Sequence, residues 1–107
     1  MRRPVPTAAL DPVRSLRNRA ARHLRRDEPR KALLALRQAA ALDPHGPSFV
    51  RLAHVLQGLG KDAEALSALK QALYCFRHDV ERGRARTVAR LILRLDPADA
   101  SALRKAA

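Results

Sequence analysis

One ten-residue pattern occurs twice in the sequence, and this internal repeat constrains the fold more than any other feature. KALLALRQAA at residues 31–40 and EALSALKQAL at residues 64–73 agree at six of ten positions, which defines a 33-residue spacing. A spacing of about 34 residues is typical of helical repeat proteins, in which each two-helix unit buries its apolar face only against its neighbours. The repeat therefore predicts a helical solenoid.

Apolar spacing along the chain predicts helices and no strands. Apolar residues recur at intervals of three and four, and no segment alternates apolar and polar residues over the length of a strand. Proline and glycine mark the ends of the helical segments, because neither continues a helix well. The predicted helices span residues 12–26, 29–42, 47–59, 62–78 and 80–95, with a last short helix beginning at Asp99. We predict an all-α fold.

Acidic residues stand before several of these helices. Asp11-Pro12, Asp27-Glu28-Pro29 and Asp62 each combine an oxygen acceptor with a following helical pattern. A side-chain oxygen at this place accepts a hydrogen bond from an N–H group that the helix leaves unpaired. We expect these residues to begin the first, second and fourth helices, and Gly60 to end the third in a left-handed conformation.

The same apolar positions recur at the 33-residue spacing in both helices of each pair. The equivalent positions are Leu16 and Phe49, Ala20 and Ala53, Ala32 and Ala65, Leu36 and Leu69, and Ala39 and Ala72. A large side chain early in the first helix fills the space beneath the next pair, while alanine lets two helices approach closely. We expect all of them in the core, together with Leu24 and Leu42.

The second unit, residues 47–73, resembles the hairpin of the tetratricopeptide repeat family. Its matching residues are Phe49, Leu52, Ala53, Leu56 and Gly60 in the first helix and turn, and Ala65, Leu69 and Ala72 in the second helix. The first unit resembles the family more loosely, since Arg19 and His23 stand where apolar residues are usual. The resemblance covers residues 12–78. It implies a short right-handed solenoid of antiparallel helix hairpins.

The resemblance also implies a binding groove. In that family an extended or helical peptide lies in the concave groove lined by the first helix of each hairpin. The matching positions here are Arg14, Arg17, Val50, His54 and Gln57, and Asn18 lies beside them. Some members clamp a C-terminal carboxylate between a Lys and an Asn four residues apart. Arg17 with Ala21 and Val50 with His54 stand there instead, so that clamp is not expected. A merely solvated face is the alternative.

Four arginines stand at intervals of four residues in the fifth predicted helix. They are Arg82, Arg86, Arg90 and Arg94. This spacing places them in one row along the helix, opposite its apolar residues, where like charges repel one another. Acidic side chains of a partner, or phosphates, would relieve that repulsion. A row neutralised only by counterions is the alternative.

The charge balance indicates acidic partners. Lys and Arg total 22 against 10 Asp and Glu, which gives a net charge of +12. We therefore expect a small adaptor or chaperone that binds an acidic segment of another protein. Nonspecific binding of nucleic acid is the alternative function, because phosphate contacts supply affinity that does not depend on base sequence. A GC-rich genome would also raise Arg and Ala without any selection for binding.

The sequence gives no indication of catalysis or of a cofactor. The four histidines lack metal-ligand spacing, Cys75 is the only thiol, and no Gly-rich phosphate loop occurs. We expect neither enzyme activity nor a cofactor.

The sequence also bears on the compartment. A single cysteine excludes an intrachain disulfide, and no run of about 18 apolar residues occurs. A cytoplasmic protein that does not associate with membranes is the expectation.

The two ends of the chain differ from the repeats. Residues 1–11 contain Pro4 and Pro6 without helical periodicity and are expected to form a disordered arm, leaving residues 12–107 as one helical domain. Near the other end, Leu103 and Ala106 begin an apolar helical face that stops at Ala107. Two and a half units fall short of the three that usually make a stable stack, which predicts a homodimer or a heteromer with an acidic protein.

Overall fold

The computed structural model describes residues 11–77 and 82–99, except for the side chain of Arg82, and within them all regular structure is helical. The five helices are α1 (Pro12–Arg25), α2 (Pro29–Leu42), α3 (Gly46–Gly58), α4 (Asp62–Arg77) and α5 (Arg82–Leu95). The all-α prediction is confirmed, and each helix begins and ends within two residues of its predicted bounds. The predicted arm, apart from Asp11, and the last short helix beyond Asp99 lie outside the described residues.

Helices that are adjacent in the chain pack against each other, most extensively α1 with α2 and α3 with α4. Alanine makes this close packing possible, since Ala32, Ala65 and Ala72 are completely buried. The radius of gyration is 15.6 Å, and the extents are 60 × 32 × 18 Å. A compact domain of this length would have a radius of gyration of about 13 Å. The helices therefore form an elongated array.

Positions that are equivalent in the repeat have equivalent environments. Ala20 and Ala53 are both buried, as are Leu36 and Leu69, while the larger Leu16 and Phe49 are partly buried against the same core. The remaining pairs, Ala32 with Ala65 and Ala39 with Ala72, are buried throughout. The core predicted from the 33-residue spacing is confirmed.

Two leucines that were expected in the core are exposed instead. Leu24 is 46% exposed and Leu42 is 58% exposed. Leu24 lies beside an open groove rather than against a neighbouring helix. Leu42 is the last residue of α2 and is not among the buried residues of that helix. Both belong to the apolar pattern of their helices, but they occupy the edge of the packed face.

The turns after α1 and α3 have the same backbone structure. Asp27 and Gly60 both have positive φ angles, 55° and 74°. The Glu28 N–H donates to the His23 carbonyl at 2.8 Å, and the Lys61 N–H donates to the Leu56 carbonyl at 2.9 Å. Bonds of this kind join the residue after a left-handed residue to the last turn of the helix. The first helix of each unit, α1 and α3, therefore ends in the same type of turn.

This arrangement corrects two predictions about helix starts. Asp27 was expected to begin α2, but it is the left-handed residue that ends α1. Glu28 precedes α2 and makes no capping hydrogen bond with its side chain. Asp62 was expected to cap α4 with its side chain, but it is the first residue of that helix and its carboxylate stands in the first turn. There it still interacts favourably with the positive end of the helix dipole.

Candidate functional site

A groove of about 570 Å³ lies between α1 and α3. Its floor consists of Ala20 from α1, Leu36 from α2 and Val55 from α3, which are all buried. Ala21 and Leu24 add exposed apolar surface on the α1 side. Ligand sites in proteins commonly have volumes of about 300–1,000 Å³ with mostly apolar linings. The groove thus has the size and floor of a binding site.

The rim of the groove is polar and positively charged. Arg14 and Asn18 of α1 and Arg51 and His54 of α3 line it, and all four are exposed. None of the described residues that line the groove is acidic, so the charges of Arg14 and Arg51 are not neutralised within it. The arrangement can therefore bind an anionic group above an apolar surface.

Capping interactions fix where α1 and α3 begin. The Asp11 side chain accepts a hydrogen bond from the Arg14 N–H at 3.0 Å, and Pro12 occupies the first turn. At α3, His45 Nδ1 accepts from the Ser48 N–H at 3.1 Å. Residues three and four apart lie on one face of a helix. Once these starts are set, Arg14 and Asn18 must face the same groove.

Arg17 connects α1 to the turn between α2 and α3. Its Nη2 lies 3.3 Å from Asp43 Oδ2 and donates to Ser48 Oγ at 3.1 Å. The same nitrogen also touches His45 Nε2. The side chain is only 30% exposed, and its Nε is buried without a described partner. Arg17 lines the groove, but its charge is already paired, so its first role is to join the two units.

The protonation of His45 follows from its partners. A backbone N–H can only donate, so Nδ1 must carry the lone pair that accepts from Ser48. In the neutral ring the proton then sits on Nε2, 3.2 Å from Asp43 Oδ2. In this tautomer the contact between Arg17 Nη2 and His45 Nε2 brings two N–H donors together and is not a hydrogen bond. The guanidinium is therefore held by its bonds to Asp43 and Ser48.

Asp43, His45 and Ser48 do not form a nucleophilic relay. Such a relay places the hydroxyl and the carboxylate on different nitrogens of the imidazole. Here Ser48 Oγ and Asp43 Oδ2 both approach Nε2, at 3.5 and 3.2 Å, while Nδ1 accepts from the backbone. Ser48 is also only 3% exposed. The cluster holds the start of α3 against α1.

No protein-family model matches the chain, and no curated protein matches it either. Among the described residues, no group of three or more His, Cys, Asp or Glu side chains is placed to hold a metal ion. None of the described helices is both long and apolar enough to span a bilayer.

The groove brings together four of the six side chains that we predicted for it from the family resemblance. Arg14, Arg17, Asn18 and His54 line it. Val50 is partly buried, packs against the core and does not line the groove. Gln57 is exposed on α3 but does not line the groove.

The row of arginines lies on α5, away from the groove lining. Arg86, Arg90 and Arg94 are exposed, whereas Val88 and Ile92 on the opposite side of the helix are buried. Arg82 begins α5, and its side chain lies outside the described residues. Arg86, Arg90 and Arg94 do not line the groove. The predicted site residues therefore fall on two separate surfaces.

Sequence reasoning missed Arg51 and Leu24, although the repeat contains a signal for Arg51. Asn18 and Arg51 are equivalent at the 33-residue spacing, and so are Ala21 and His54. All four line the groove. Applying the repeat spacing to Asn18 would have identified Arg51. Leu24 was assigned to the core because its spacing fits the apolar face of α1, and only the position of α3 shows that it borders a groove.

Proposed function

We propose that the chain is a short tetratricopeptide-like solenoid that binds an acidic, partly apolar segment of another protein in the groove between α1 and α3. One observation carries this proposal: exposed arginines, without carboxylates to neutralise them, line the rim above a buried apolar floor. A ligand that presents carboxylates beside aliphatic side chains complements both features.

Several features of the array support a solenoid of hairpins. Each helix packs on the next, and the array is elongated. The turns at Asp27 and Gly60 share backbone conformation and hydrogen bonds at the repeat spacing. Stacked units that contact only their neighbours are what define a solenoid. The absence of a matching family model leaves the assignment to the tetratricopeptide family a proposal.

The groove suggests a division of roles among its residues. Arg14 and Arg51 pair with carboxylates of the ligand, while Asn18 and His54 offer hydrogen-bonding groups. Leu24 and the apolar floor contact an aliphatic side chain. Arg17 remains paired with Asp43 and keeps the two units in register. These roles describe binding without catalysis, as an adaptor or chaperone requires.

Fluorescence anisotropy with two labelled peptides of equal charge tests this function. One is a 12-residue peptide of six Glu and six Leu, and the other is a hexaglutamate. We expect tighter binding of the Glu/Leu peptide, because only it can use the apolar floor. Substituting Arg14→Gln together with Arg51→Gln should weaken its binding roughly tenfold, at about 0.7 kcal/mol per exposed ion pair.

The control variant removes the same charge elsewhere. Arg86→Gln with Arg90→Gln changes the net charge equally but leaves the groove intact, so the affinity for the Glu/Leu peptide should change less than about twofold. Equal losses in both variants would show that net charge alone attracts the peptide. Equal affinity for the two peptides would show that the groove floor makes no contribution.

A further inference from the structure

The exposed residues of α5 are mostly arginines and include no apolar side chain, while Leu91, Leu93 and Leu95 are partly buried. Its exposed residues are Gly83, Arg84, Arg86, Thr87, Arg90 and Arg94. Its apolar residues Ala85, Val88, Ala89 and Ile92 are at most 2% exposed and join the common core. Arg84 lies over the Phe76 ring, 6.0 Å from its centroid, and so belongs to the edge of the packed face. The outward row is therefore Arg86, Arg90 and Arg94.

The charge of this row is not compensated by the described residues. Successive members are four residues apart, which corresponds to about 6 Å along the helix. Arg86, Arg90 and Arg94 make no ion pair or hydrogen bond through their side chains within the described structure. Asp99, which follows α5, is paired with Lys70 at 3.2 Å. An external anion would relieve the repulsion along the row.

The arginines of α1 differ in this respect. Arg22 and Arg25 stand in the last turn of α1, where the negative end of the helix dipole favours positive charge. Arg86 and Arg90 stand in the first half and the middle of α5, where the dipole gives no such compensation. Arg94 stands in the last turn of α5, so Arg86 and Arg90 are the members of the row that the helix dipole does not stabilise.

The composition of the face distinguishes between classes of partner. A protein interface has an apolar centre, and a helix on a membrane surface exposes its apolar side to the lipid. The outward face of α5 has no exposed apolar side chain for either, because Ala85, Val88, Ala89 and Ile92 are buried and the three leucines of the helix are partly buried. A phosphate backbone is contacted by charged and hydrogen-bonding groups and requires no apolar surface. No aromatic residue occurs on α5, so this face has no side chain on which the bases of a single strand could stack.

We propose that Arg86, Arg90 and Arg94 form a second binding surface, separate from the groove, that contacts the phosphate backbone of double-stranded nucleic acid without reading its base sequence. Each guanidinium contacts one phosphate and releases its counterions. Binding through this face is independent of the peptide groove, since none of its residues lines that groove.

The salt dependence of binding to a fluorescein-labelled 20-bp duplex tests this proposal. The logarithm of the binding constant is measured against the logarithm of the KCl concentration for the wild-type chain and for Arg86→Gln/Arg90→Gln/Arg94→Gln. Losing three phosphate contacts should reduce the steepness of the line by about 2.7, at about 0.9 per contact. Glutamine keeps a high helix propensity, and circular dichroism verifies that the helices remain.

Two matched variants locate the surface. Arg19→Gln/Arg22→Gln/Arg26→Gln removes the same charge from α1 and the residue after it, and should leave the slope unchanged. Arg14→Gln/Arg51→Gln alters the groove and should also bind the duplex normally. No duplex binding by the wild-type chain at low salt, or equal slope losses for the α1 and α5 variants, would overturn the proposal. So would an α5 variant that binds the duplex normally but no longer binds hexaglutamate, which would assign the face to an acidic protein.

Discussion

Asp27 and Gly60 occupy the same structural position in successive units. They are equivalent at the 33-residue spacing, both have left-handed backbone conformations, and each is followed by a residue whose N–H donates to a carbonyl five positions earlier. Glycine adopts this conformation readily, whereas a residue with a Cβ atom is destabilised in it. The two turns are therefore equivalent in geometry but not in stability.

Exchanging the residues at these turns should change stability in opposite directions. Asp27→Gly should raise the free energy of unfolding by about 0.5 kcal/mol, because relief of the left-handed strain exceeds the entropy that glycine gains in the unfolded chain. Gly60→Asp should lower it by about 0.5–1 kcal/mol. A Cβ atom at Gly60 would meet nothing within 4 Å, so the cost is in the backbone alone. Urea unfolding measures the free energy of unfolding of both variants. Asp27→Asn is the control, because it removes the charge of Asp27 and keeps a side chain at this position.

Gly46 is required for a close contact between α3 and α4. A Cβ atom at this position would overlap the ring of Phe76, which is itself buried. We expect Gly46→Ala to destabilise the fold by about 1–3 kcal/mol through overpacking. Gly58→Ala is the matched control, because its Cβ would meet nothing and alanine favours the helix by about 0.5–1 kcal/mol. Thermal unfolding midpoints that shift equally would contradict this account.

The 33-residue spacing predicted most of the fold because it reports which positions are buried in both units. It could not predict contacts between residues far apart in sequence. Asp27-Glu28-Pro29 satisfies the rules for a helix start as well as those for a helix end, and only the backbone shows which rule applies. Gly46 directly precedes the predicted third helix, and its close approach to Phe76 joins the start of α3 to the end of α4.

The candidate site was predictable in part for the same reason. Arg14, Asn18 and His54 follow from the repeat register, because that register fixes the side of α1 and α3 that faces the groove. The pairing of Arg17 with Asp43 depends on where the turn between α2 and α3 passes, and no local pattern encodes that position. Val50 is one position away from Arg51, yet on a helix this step turns the side chain toward the core.

Hydrogen bonds from Lys31 and His23 to the Glu28 carboxylate lower the pKa of that group. The carboxylate is thus harder to protonate in the folded chain than in the unfolded one. Its contribution to stability is present above the unfolded pKa and is lost as the pH falls through the folded pKa. Lys31→Met should raise the Glu28 pKa toward its ordinary value. Carbon-13 NMR titration of the side-chain carboxyl measures the shift, and an unchanged midpoint would contradict the assignment.

Self-association is expected at the ends of the array. Within the described structure α1 and α5 are the first and last helices of the array, so a second copy or an acidic partner can cover a remaining face. The net charge of +12 opposes association at low salt, and screening should therefore favour a dimer at moderate salt. Light scattering across the micromolar range measures the mass. A monomeric mass throughout, with a concentration-independent unfolding temperature, would show that the array is stable alone.

Chemical-shift mapping of the groove tests the central proposal most directly. The Glu/Leu peptide is titrated into isotope-labelled protein, and amide and methyl signals are followed by NMR. We predict that the largest shifts occur at Ala21, Leu24, Arg51, His54 and Val55, with little change along α5. Shifts that concentrate on Arg86, Arg90 and Arg94, or that spread evenly over all exposed arginines, would contradict a peptide-binding groove between α1 and α3.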